Sequence, residues 1–573
     1  MTDLQTTDLH AADPADSPWW RDAVIYQVYP RSWADGDGDG VGDLPGITSR
    51  LGHLAELGVD AIWFSPFFRS PQKDAGYDVS DYRDIDPLFG TLADADALLA
   101  RAHELGLRII VDLVPNHSSD QHAWFQEALA AAPGSEARER YMFRDGLGAD
   151  GSTPPNDWRS VFGGPAWTRI TEPDGTPGQW YLHLFDSSQP DFNWQNPVVR
   201  EEFESVLRFW LDRGVDGFRV DVAHGLIKKE GLPPFPLETE MISQDNTALS
   251  PFWDQDGVHE IYRAWRSVLD EYEGDRIMCA EAWVAPAERA ARYVRPDEFH
   301  QAFNFGYLEA PWRVADLRTV ITDSLSANDS VGAPATWVLS NHDVVRHASR
   351  LGLPVGQKRP NGISASDPQP DAELGLRRAR AASLLMLALP GGAYLYQGEE
   401  LGLPEHTALD HHYREDPTFH RTSGTEVGRD GCRVPMPWER DAPAYGFSAT
   451  GASWLPQPPA YGDLAADQQA GVAGSTLELY RAALALRDER GLGLGGLALV
   501  GDTTTDSTDA DTAEDAVLTL HNTGRGGEHP TLVIANLGTE PVALPEGSAL
   551  LLASGPLTDD GLVPTDTTIW AAL

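Results

Sequence analysis

Three acidic residues, each at the end of a short apolar segment, are the groups in this sequence best suited to do chemistry. Asp221 ends the run GFRVD, Glu281 ends MCAE, and Asp343 ends LSNHD. Each segment contains β-prone residues, so we predict that it forms a strand whose end carries the acid. If the strands are parallel, their carboxyl ends meet at one rim of a sheet, together with the three acids. Clustered acids of this kind perform acid/base or nucleophilic chemistry.

Paired carboxyl groups suit the cleavage of a glycosidic bond. A retaining glycosidase uses one carboxylate as nucleophile and one carboxylic acid to protonate the leaving oxygen, with about 5 to 5.5 Å between the two groups. Arg219 lies two residues before Asp221, so on a strand its side chain points to the same face of the sheet. We therefore expect the Arg219 charge to keep Asp221 ionised.

The chain around these acids alternates between short β-branched runs and amphipathic stretches, the pattern of successive βα units. We predict helices over the stretches 47–57, 93–105 and 197–213, followed by Gly58, Gly106 and Gly214 as C-terminal stops. The candidate strands are 23–28, 61–64, 108–113, 217–220, 277–280, 302–305, 336–339 and 393–396. Strands and crossover helices in this order predict an α/β fold, a (β/α)8 TIM barrel.

Two regions depart from the barrel pattern. Roughly a hundred residues rich in Pro, Gly and Trp separate the third and fourth strands, far more than an ordinary connection, and predict an inserted subdomain. Near the C-terminus, short strand candidates separated by turns predict a small antiparallel β-sandwich. We therefore expect a disordered tail at 1–17, a barrel formed by 18–116 and 189–490, an inserted subdomain at 117–188 and a C-terminal β-sandwich at 491–573.

The charge and the cysteine content exclude several classes of partner and site. The formal net charge is -44, from 87 acidic and 43 basic residues, so we expect no nucleic acid and no membrane as partner. The two cysteines, Cys279 and Cys432, are far apart and lack metal-ligand spacing, which excludes a disulfide framework. The first 17 residues lack the basic and apolar regions of a signal peptide, so we expect a cytoplasmic location.

These motifs resemble the α-amylase superfamily, glycoside hydrolase family 13, and within it the α-glucosidase and oligo-1,6-glucosidase group. DLVPNH at 112–117 resembles the first motif of the family, and the segments that contain Asp221, Glu281 and Asp343 resemble the second, third and fourth. QPDFNW at 189–194 resembles a further motif that marks the oligo-1,6-glucosidase side of the family. The four family motifs occur in the expected order, which makes a chance match negligible.

The resemblance implies a role for each acid. Asp221 would be the nucleophile, Glu281 the general acid/base, and Asp343 the carboxylate that holds sugar hydroxyls and stabilises the distorted transition state. Arg219 would orient Asp221. His117 and His342 would donate hydrogen bonds to hydroxyls of the bound glucose.

The same resemblance implies a closed pocket. Tyr77 and Asp78 resemble the pair that stacks on and binds the non-reducing glucose, and the segment GRDGCR at 428–433 resembles the one that supplies an arginine partner. A bridge from Asp78 to Arg429, which we prefer to Arg433, would close the far end of the cleft. The enzyme would then act from the chain end and release one glucose at a time from a small α-glucoside such as maltose.

A second cluster of acids indicates a structural ion. The run DGDGDGVGD at 35–43 places acids at alternate positions, a spacing that lets a tight loop surround a hard cation. The resemblance implies that this loop binds Ca²⁺, and no organic cofactor is expected. The alternative is a solvated acidic turn. The expected metal ligands are Asp35, Asp37, Asp39, the carbonyl of Val41, and Asp43.

The second sugar and the fate of the glucosyl group are left open. The resemblance implies that Val222, after the nucleophile, favours α-1,6 linkages, whereas the segment 223–253 resembles α-glucosidases with broad or α-1,4 preference. Alternatives are an oligo-1,6-glucosidase, or a glucosyl transferase or isomerase of the trehalose synthase or sucrose isomerase type, because a sugar can replace water as acceptor. A more distant alternative is an inactive binding subunit. We expect a monomer or a weak homodimer.

Overall fold

The barrel predicted from the sequence is present in the computed structural model, which describes residues 6–14, 16–236, 250–354, 361–501 and 516–573. Its strands form one parallel sheet, in which strand 1 pairs with strand 8. Strands 6 and 7 come together where the Asn304 amide donates a hydrogen bond of 3.0 Å to the carbonyl of Thr336. In chain order, the barrel strands are Val24–Val28, Ala61–Phe64, Arg108–Leu113, Gly217–Val220, Ile277–Ala280, Gln301–Ala302, Thr336–Val338 and Gly392–Tyr396.

The sixth strand is shorter than predicted. It ends at Ala302, and a helix begins at Phe305, so the expected strand over 302–305 overlaps the observed one at a single residue. The cause is Asn304, whose side chain accepts a hydrogen bond from the Tyr307 amide and caps the helix Phe305–Glu309.

Helices surround the barrel and cover the outward side of its strands. The predicted glycine stops lie at helix ends: Gly58, Gly106 and Gly214 all have positive φ, of 89°, 79° and 100°. Among the described residues, none of the helices combines the length and the apolar character needed to cross a bilayer. The α-helices are Leu44–Leu57, Leu92–Glu104, Ala123–Ala130, Pro197–Asp212, Val258–Leu269, Ala287–Ala290, Phe305–Glu309, Val314–Asp329, His347–Arg350, Ala372–Leu387, Pro417–Arg421, Ala460–Asp463, Ala466–Gln469 and Thr476–Arg490.

The segment 117–188, here called the insert, contains a small antiparallel sheet. Its strands are Phe143–Arg144, Trp167–Thr171 and Pro177–Leu182, and the last of these lies in the middle. Aromatic side chains of the insert, including Trp158, Phe162 and Phe185, form an apolar cluster with Val222 and Trp253 of the segment after strand 4. The insert therefore packs against the rim of the barrel that carries Asp221. A separate pair of short strands, Phe68–Arg69 and Asp81–Ile85, follows strand 2.

Five strands of the C-terminal region and one N-terminal strand form a six-stranded antiparallel sheet that packs on the barrel helix Ala372–Leu387. The indole of Trp570 donates a hydrogen bond of 3.0 Å to the carbonyl of Leu384 in that helix. The strands described lie in one sheet, and an isolated bridge joins Val542 to Val563. The strands are Thr6–His10, Leu497–Val500, Val517–Asn522, Thr531–Asn536, Ala549–Ala553 and Thr567–Ala572.

One strand of this sheet corrects the expectation of a disordered tail over 1–17. Thr6–His10 pairs antiparallel with Leu497–Val500, and the His10 ring lies 2.8 Å from the carboxylate of Asp329. This strand is short and polar, so nothing in its own sequence predicts order. It is ordered because the edge of the C-terminal sheet supplies backbone partners. Residues 1–5 and 15 lie outside the described part of the chain.

Candidate active site

Asp221 and Glu281 lie side by side at the carboxyl-terminal rim of the barrel. Strands 4 and 5 pair in a register that sets Val220 beside Ala280, one residue before each acid. The ladder continues into the acids themselves, because the Asp221 amide donates to Leu113 O at 2.9 Å and the Glu281 amide to Val220 O at 3.0 Å. The backbone of the two acids is therefore fixed by the same parallel hydrogen bonds that form the barrel.

One buried guanidinium group joins the two acids. Nη1 of Arg219 lies 2.7 Å from Asp221 and 2.8 Å from Asp112, and Nη2 lies 2.8 Å from Glu281. The expected contact with Asp221 is present, and those with Asp112 and Glu281 were not foreseen. Burial raises the pKa of Asp221, and the charge of Arg219 counteracts that rise.

Backbone strain after the nucleophile candidate directs a donor at Glu281. Val222 has a φ of 46°, a left-handed conformation that is rare for a β-branched residue. In this conformation its amide donates a hydrogen bond of 2.9 Å to Oε2 of Glu281. The indole of Trp283 donates to Oε1 at 3.1 Å. Both carboxyl oxygens of Glu281 are thus held in place, and strain of this kind is typical of functional sites.

Asp343 has two arginine partners. Nη1 of Arg429 and Nη2 of Arg433 both lie 3.0 Å from its Oδ1. Burial opposes the ionisation of Asp343, but nearby charges hold its pKa well below the usual value. Burial also lowers the pKa of His342, which is therefore neutral, so we attribute the effect on Asp343 to the two guanidinium groups. Asp343 is an anion at neutral pH.

A stacked pair of rings forms one wall of the site. Tyr77 and His342 are parallel within 4°, with ring centroids 5.3 Å apart and 2.7 Å between the Tyr77 hydroxyl and Nε2 of His342. The Tyr77 hydroxyl also lies 3.1 Å from Asp112. Nε2 of His117 lies 3.1 Å from the carbonyl of Tyr77, and burial lowers the pKa of His117 to about 4. Both histidines are neutral, so each ring carries one N–H donor.

Besides Asp343, Arg429 pairs with Asp74 and not with the expected Asp78. Nη2 of Arg429 lies 2.9 Å from Asp74, which also accepts a hydrogen bond of 3.0 Å from the Gln189 amide group. The carboxylate of Asp78 instead accepts from its own loop, at 2.8 Å from the hydroxyl of Ser70 and at 2.9 and 3.0 Å from the amides of Lys73 and Asp74.

The conformation of the loop between Asp74 and Asp78 explains why Asp74, and not Asp78, contacts Arg429. Ala75 and Gly76 have φ values of 50° and 103°, so the chain turns sharply between Asp74 and Tyr77. This turn brings Asp74 into the pocket and directs Asp78 toward the loop backbone. Arg429, which the sequence analysis preferred to Arg433 as the partner of Asp78, has Asp74 as its partner at this end of the pocket.

The sequence was compared with models of known protein families. Residues 27–493 match the family model described as the alpha amylase catalytic domain. The chain belongs to the α-amylase family. That assignment agrees with the resemblance seen in the four sequence motifs, and it makes the protein a glycoside hydrolase.

Curated relatives within the family are named for α-glucoside hydrolysis. The chain is 42% identical to a probable alpha-glucosidase of Rhizobium meliloti over 494 residues, which cover 82% of this chain and 83% of the relative. It is 34% identical to the oligo-1,6-glucosidase of Parageobacillus thermoglucosidasius over 504 residues, with coverage of 82% and 84%.

Solved structures of the family include enzymes that transfer glucosyl groups. The alpha-glucosyl transfer enzyme XgtA is 36% identical to this chain and superposes with a TM-score of 0.80, covering 97% of this chain and 100% of that one. The trehalulose synthase MutB is 30% identical, with a TM-score of 0.79 and the same coverage. The fold is therefore shared with a structure named for α-glucosyl transfer and with one named for trehalulose synthesis.

The candidate ion loop brings together three of its five expected ligands. One carboxylate oxygen from each of Asp35, Asp37 and Asp39 lies within 4.8 Å of the others. Asp43 is outside this group, because its side chain caps the helix Leu44–Leu57 and accepts hydrogen bonds from the amides of Gly46, Gly36 and Asp37 at 2.6, 3.0 and 3.1 Å. The amide of Val41 donates to Asp39 at 2.8 Å. Three converging carboxylates fit a hard divalent cation.

Several residues of the site were missed by sequence reasoning. Asp74, Asp112 and Gln189 each lie inside or beside a motif that had been recognised, so motif position was the signal that could have found them. Asp416 and Lys228 carry no such signal. The Lys228 ammonium group is buried and lies 2.7 Å from Asp191 and 2.8 Å from Asn116, so it ties the segment after strand 4 to the residues that flank the insert on either side.

Proposed function

We propose that this protein is an exo-acting, retaining α-glucosidase that releases glucose from the non-reducing end of small α-glucosides such as maltose. In the first step a carboxylate oxygen of Asp221 bonds to the anomeric carbon, while the bond to the leaving oxygen breaks and that oxygen takes the proton of Glu281. Water then attacks the same carbon, gives its proton to Glu281 and displaces Asp221. Glucose leaves with its α configuration retained.

The observation that carries this proposal is the closed end of the site. Arg429 reaches Asp343 with one terminal nitrogen and Asp74 with the other, at 3.0 and 2.9 Å. We assign Asp343, Asp74 and His342 to hold the hydroxyls of one terminal glucose, with Tyr77 beneath it and His117 beside it. A glucan chain that continued past this ion pair would meet the buried Arg429, so a single sugar fits beyond the scissile bond.

The names of the relatives support an α-glucoside as the substrate and are compatible with transfer of the glucosyl group to a sugar. Two of them are named for α-glucosidase and oligo-1,6-glucosidase activity, and two structural neighbours are named for glucosyl transfer and trehalulose synthesis. Transglucosylation by this chain is therefore a second candidate activity. It would use the same covalent intermediate, with a sugar hydroxyl in place of water.

The test is a time course with maltose as the only sugar. We expect two molecules of glucose per maltose consumed at low substrate concentration, with transfer products that increase as maltose increases. Formation of trehalose as the main product would indicate an isomerase instead. No consumption of maltose would contradict the proposal.

We further propose that Asp35, Asp37 and Asp39 hold a structural Ca²⁺ and that Val41 and Asp43 complete or support the loop. Its role would be to neutralise repulsion among the acids. No organic cofactor is needed for two carboxyl groups to perform this reaction.

The domain boundaries, the oligomeric state and the cellular location are also proposals. We divide the chain into a barrel of 18–116 and 189–490, an inserted subdomain at 117–188 and a C-terminal domain at 491–573. We infer a monomer or weak homodimer. A cytoplasmic location is supported by two buried, unpaired thiols, Cys279 and Cys432.

A further inference from the structure

A five-residue helix, Pro417–Arg421, connects Arg429 of the candidate pocket at one end with loops of the insert at the other. It begins at Asp416, whose Oδ1 accepts a hydrogen bond of 2.7 Å from the Thr418 amide. It ends at Arg421, which contacts the insert. Because so short a helix is fixed by its ends, a shift at one end displaces the other.

The first end holds Arg429. Oδ2 of Asp416 accepts hydrogen bonds from the amide of Arg429, at 2.9 Å, and from its Nε. The approach is close: a side chain at Gly428, where φ is 67°, would place its Cβ 2.6 Å from Cγ of Asp416. With Nε held from behind, the terminal nitrogens of Arg429 face Asp343 and Asp74.

The second end holds the insert. Nε and Nη2 of Arg421 donate to the carbonyl of Gly163, at 3.0 and 2.6 Å, and Nη1 lies 2.8 Å from the carboxylate of Asp186. Arg421 therefore ties together two loops of the insert that are more than twenty residues apart in sequence. Its side chain is about one fifth exposed, so these bonds are only partly screened by water.

Each of these two loops carries an aromatic ring beside the anchor point. Phe162 precedes Gly163, and the guanidinium carbon of Arg429 lies 5.4 Å from the centre of its ring. Phe185 precedes Asp186, and its ring lies 5.7 Å from that of Phe162 and 5.0 Å from that of His117. The two phenylalanines thus form a roof over the candidate glucose pocket, from Arg429 to His117.

We propose that Arg421 is a positioning residue for glucose binding, which fixes the Phe162–Phe185 roof relative to Arg429 through the helix Pro417–Arg421. The inference rests on the proposed α-glucosidase function and assigns the pocket a second closure besides the Arg429–Asp74 pair. Arg421 itself does not touch the sugar. Its effect should appear in the binding of glucose, because displacements of about 1 Å in a binding wall can cost up to about 100-fold in rate or affinity.

The experiment compares Arg421→Ala with Arg421→Lys and with a matched control, Arg169→Ala. Like Arg421, Arg169 donates hydrogen bonds to backbone carbonyls of the insert, those of Gly178 and Asp150, at 3.0 and 2.8 Å. These bonds lie outside the pocket. For each protein we would measure kcat and KM with maltose, the melting temperature, and its increase on addition of glucose.

For Arg421→Ala we expect KM to rise about tenfold, kcat to change less than about threefold, and the glucose-induced increase in melting temperature to shrink. Arg421→Lys should restore part of the affinity, and Arg169→Ala should behave as the wild type. An unchanged KM and glucose response in Arg421→Ala would overturn the inference. A lower melting temperature and a lower kcat without a change in KM would also overturn it, because that result indicates a structural role alone.

Failure of the proposed function has a different signature. If the wild type binds glucose but does not cleave maltose, the function is wrong, and the glucose response of the variants still decides the role of Arg421. If the wild type does not respond to glucose at all, the inference fails as well.

Discussion

Buried carboxyl groups in this site differ in how many cations surround them. Asp343 has two guanidinium partners and its pKa is lowered. Asp112, Asp221 and Glu281 share a single guanidinium, that of Arg219. Burial raises the pKa of Asp112 to about 7, with Arg219 opposing that rise. One cation thus faces three buried carboxyl groups, whereas Asp343 alone has two, and this difference in charge balance gives the two parts of the site opposite effects on ionisation.

Replacement of the candidate general acid should depend on the leaving group. Glu281→Gln should lower kcat for maltose by about 10² to 10⁴-fold, because glutamine cannot protonate the leaving sugar. A 4-nitrophenyl α-glucoside should be less affected in its first step, since nitrophenolate leaves without a proton. Rapid-mixing kinetics would detect this as a burst of nitrophenolate followed by slow turnover. Equal losses with both substrates would argue against Glu281 as the acid.

Asp74 occupies the position at Arg429 that was expected for Asp78, so variants of these two residues form a matched pair. Asp74→Asn should lower kcat/KM for maltose by about 10 to 100-fold, because the charge-assisted contact with Arg429 is weakened at the pocket end. Asp78→Asn should mainly lower the melting temperature, since its carboxylate holds the loop 70–78 together. Steady-state kinetics and thermal melting separate the two effects. The reverse pattern would restore the expectation drawn from the sequence.

At the scale of elements, the parallel hydrogen-bond ladder of the barrel positions the residues on one side of the site, and loops carry the residues on the other side. Asp221 and Glu281 follow directly from paired strands, whereas Arg429 lies more than thirty residues after the last barrel strand, which ends at Tyr396. Its position depends on Asp416 and on the turn at Gly428. Loops of this type carry specificity in barrel enzymes, because they can change while the ladder stays the same.

The acidic loop permits a test at the same scale. Addition of Ca²⁺ should raise the melting temperature by several degrees, because an ion that binds only the folded state stabilises it by about 2.7 kcal/mol at 100 times its Kd. Asp37→Ala should abolish this response. Asp174→Ala is the control, since Asp174 also accepts a backbone amide in an exposed turn, at 2.9 Å from Thr176. An equal response of the two variants would exclude this loop as the site.

At the scale of the molecule, the barrel contacts both the insert and the C-terminal sheet through buried side chains, and the net charge of -44 acts on all three. Like charges at the surface repel and favour expansion of the chain. Much of this repulsion is long-range and is therefore sensitive to salt.

Increasing the salt concentration from roughly 20 mM to roughly 500 mM NaCl should raise the melting temperature at pH 7, since screening shortens the Debye length from about 20 Å to a few Å. At pH 5, near the pI of about 4.5, the same change should have a smaller effect. Thermal melting at the two pH values is the measurement. A larger increase at pH 5 would mean that repulsion does not limit stability.

The sequence alone determined the barrel and its three acids, because alternating patterns and strand-end motifs are local signals. Four of the eight predicted strands, 61–64, 108–113, 217–220 and 277–280, have the predicted boundaries. The tertiary structure alone decided the partner of Arg429, the order of Thr6–His10 and the role of Asp416. Each of these depends on groups distant in sequence: two ends of a cleft, the edge of a sheet, and a loop that approaches Gly428. Such contacts arise only when the barrel has closed, so no local pattern encodes them.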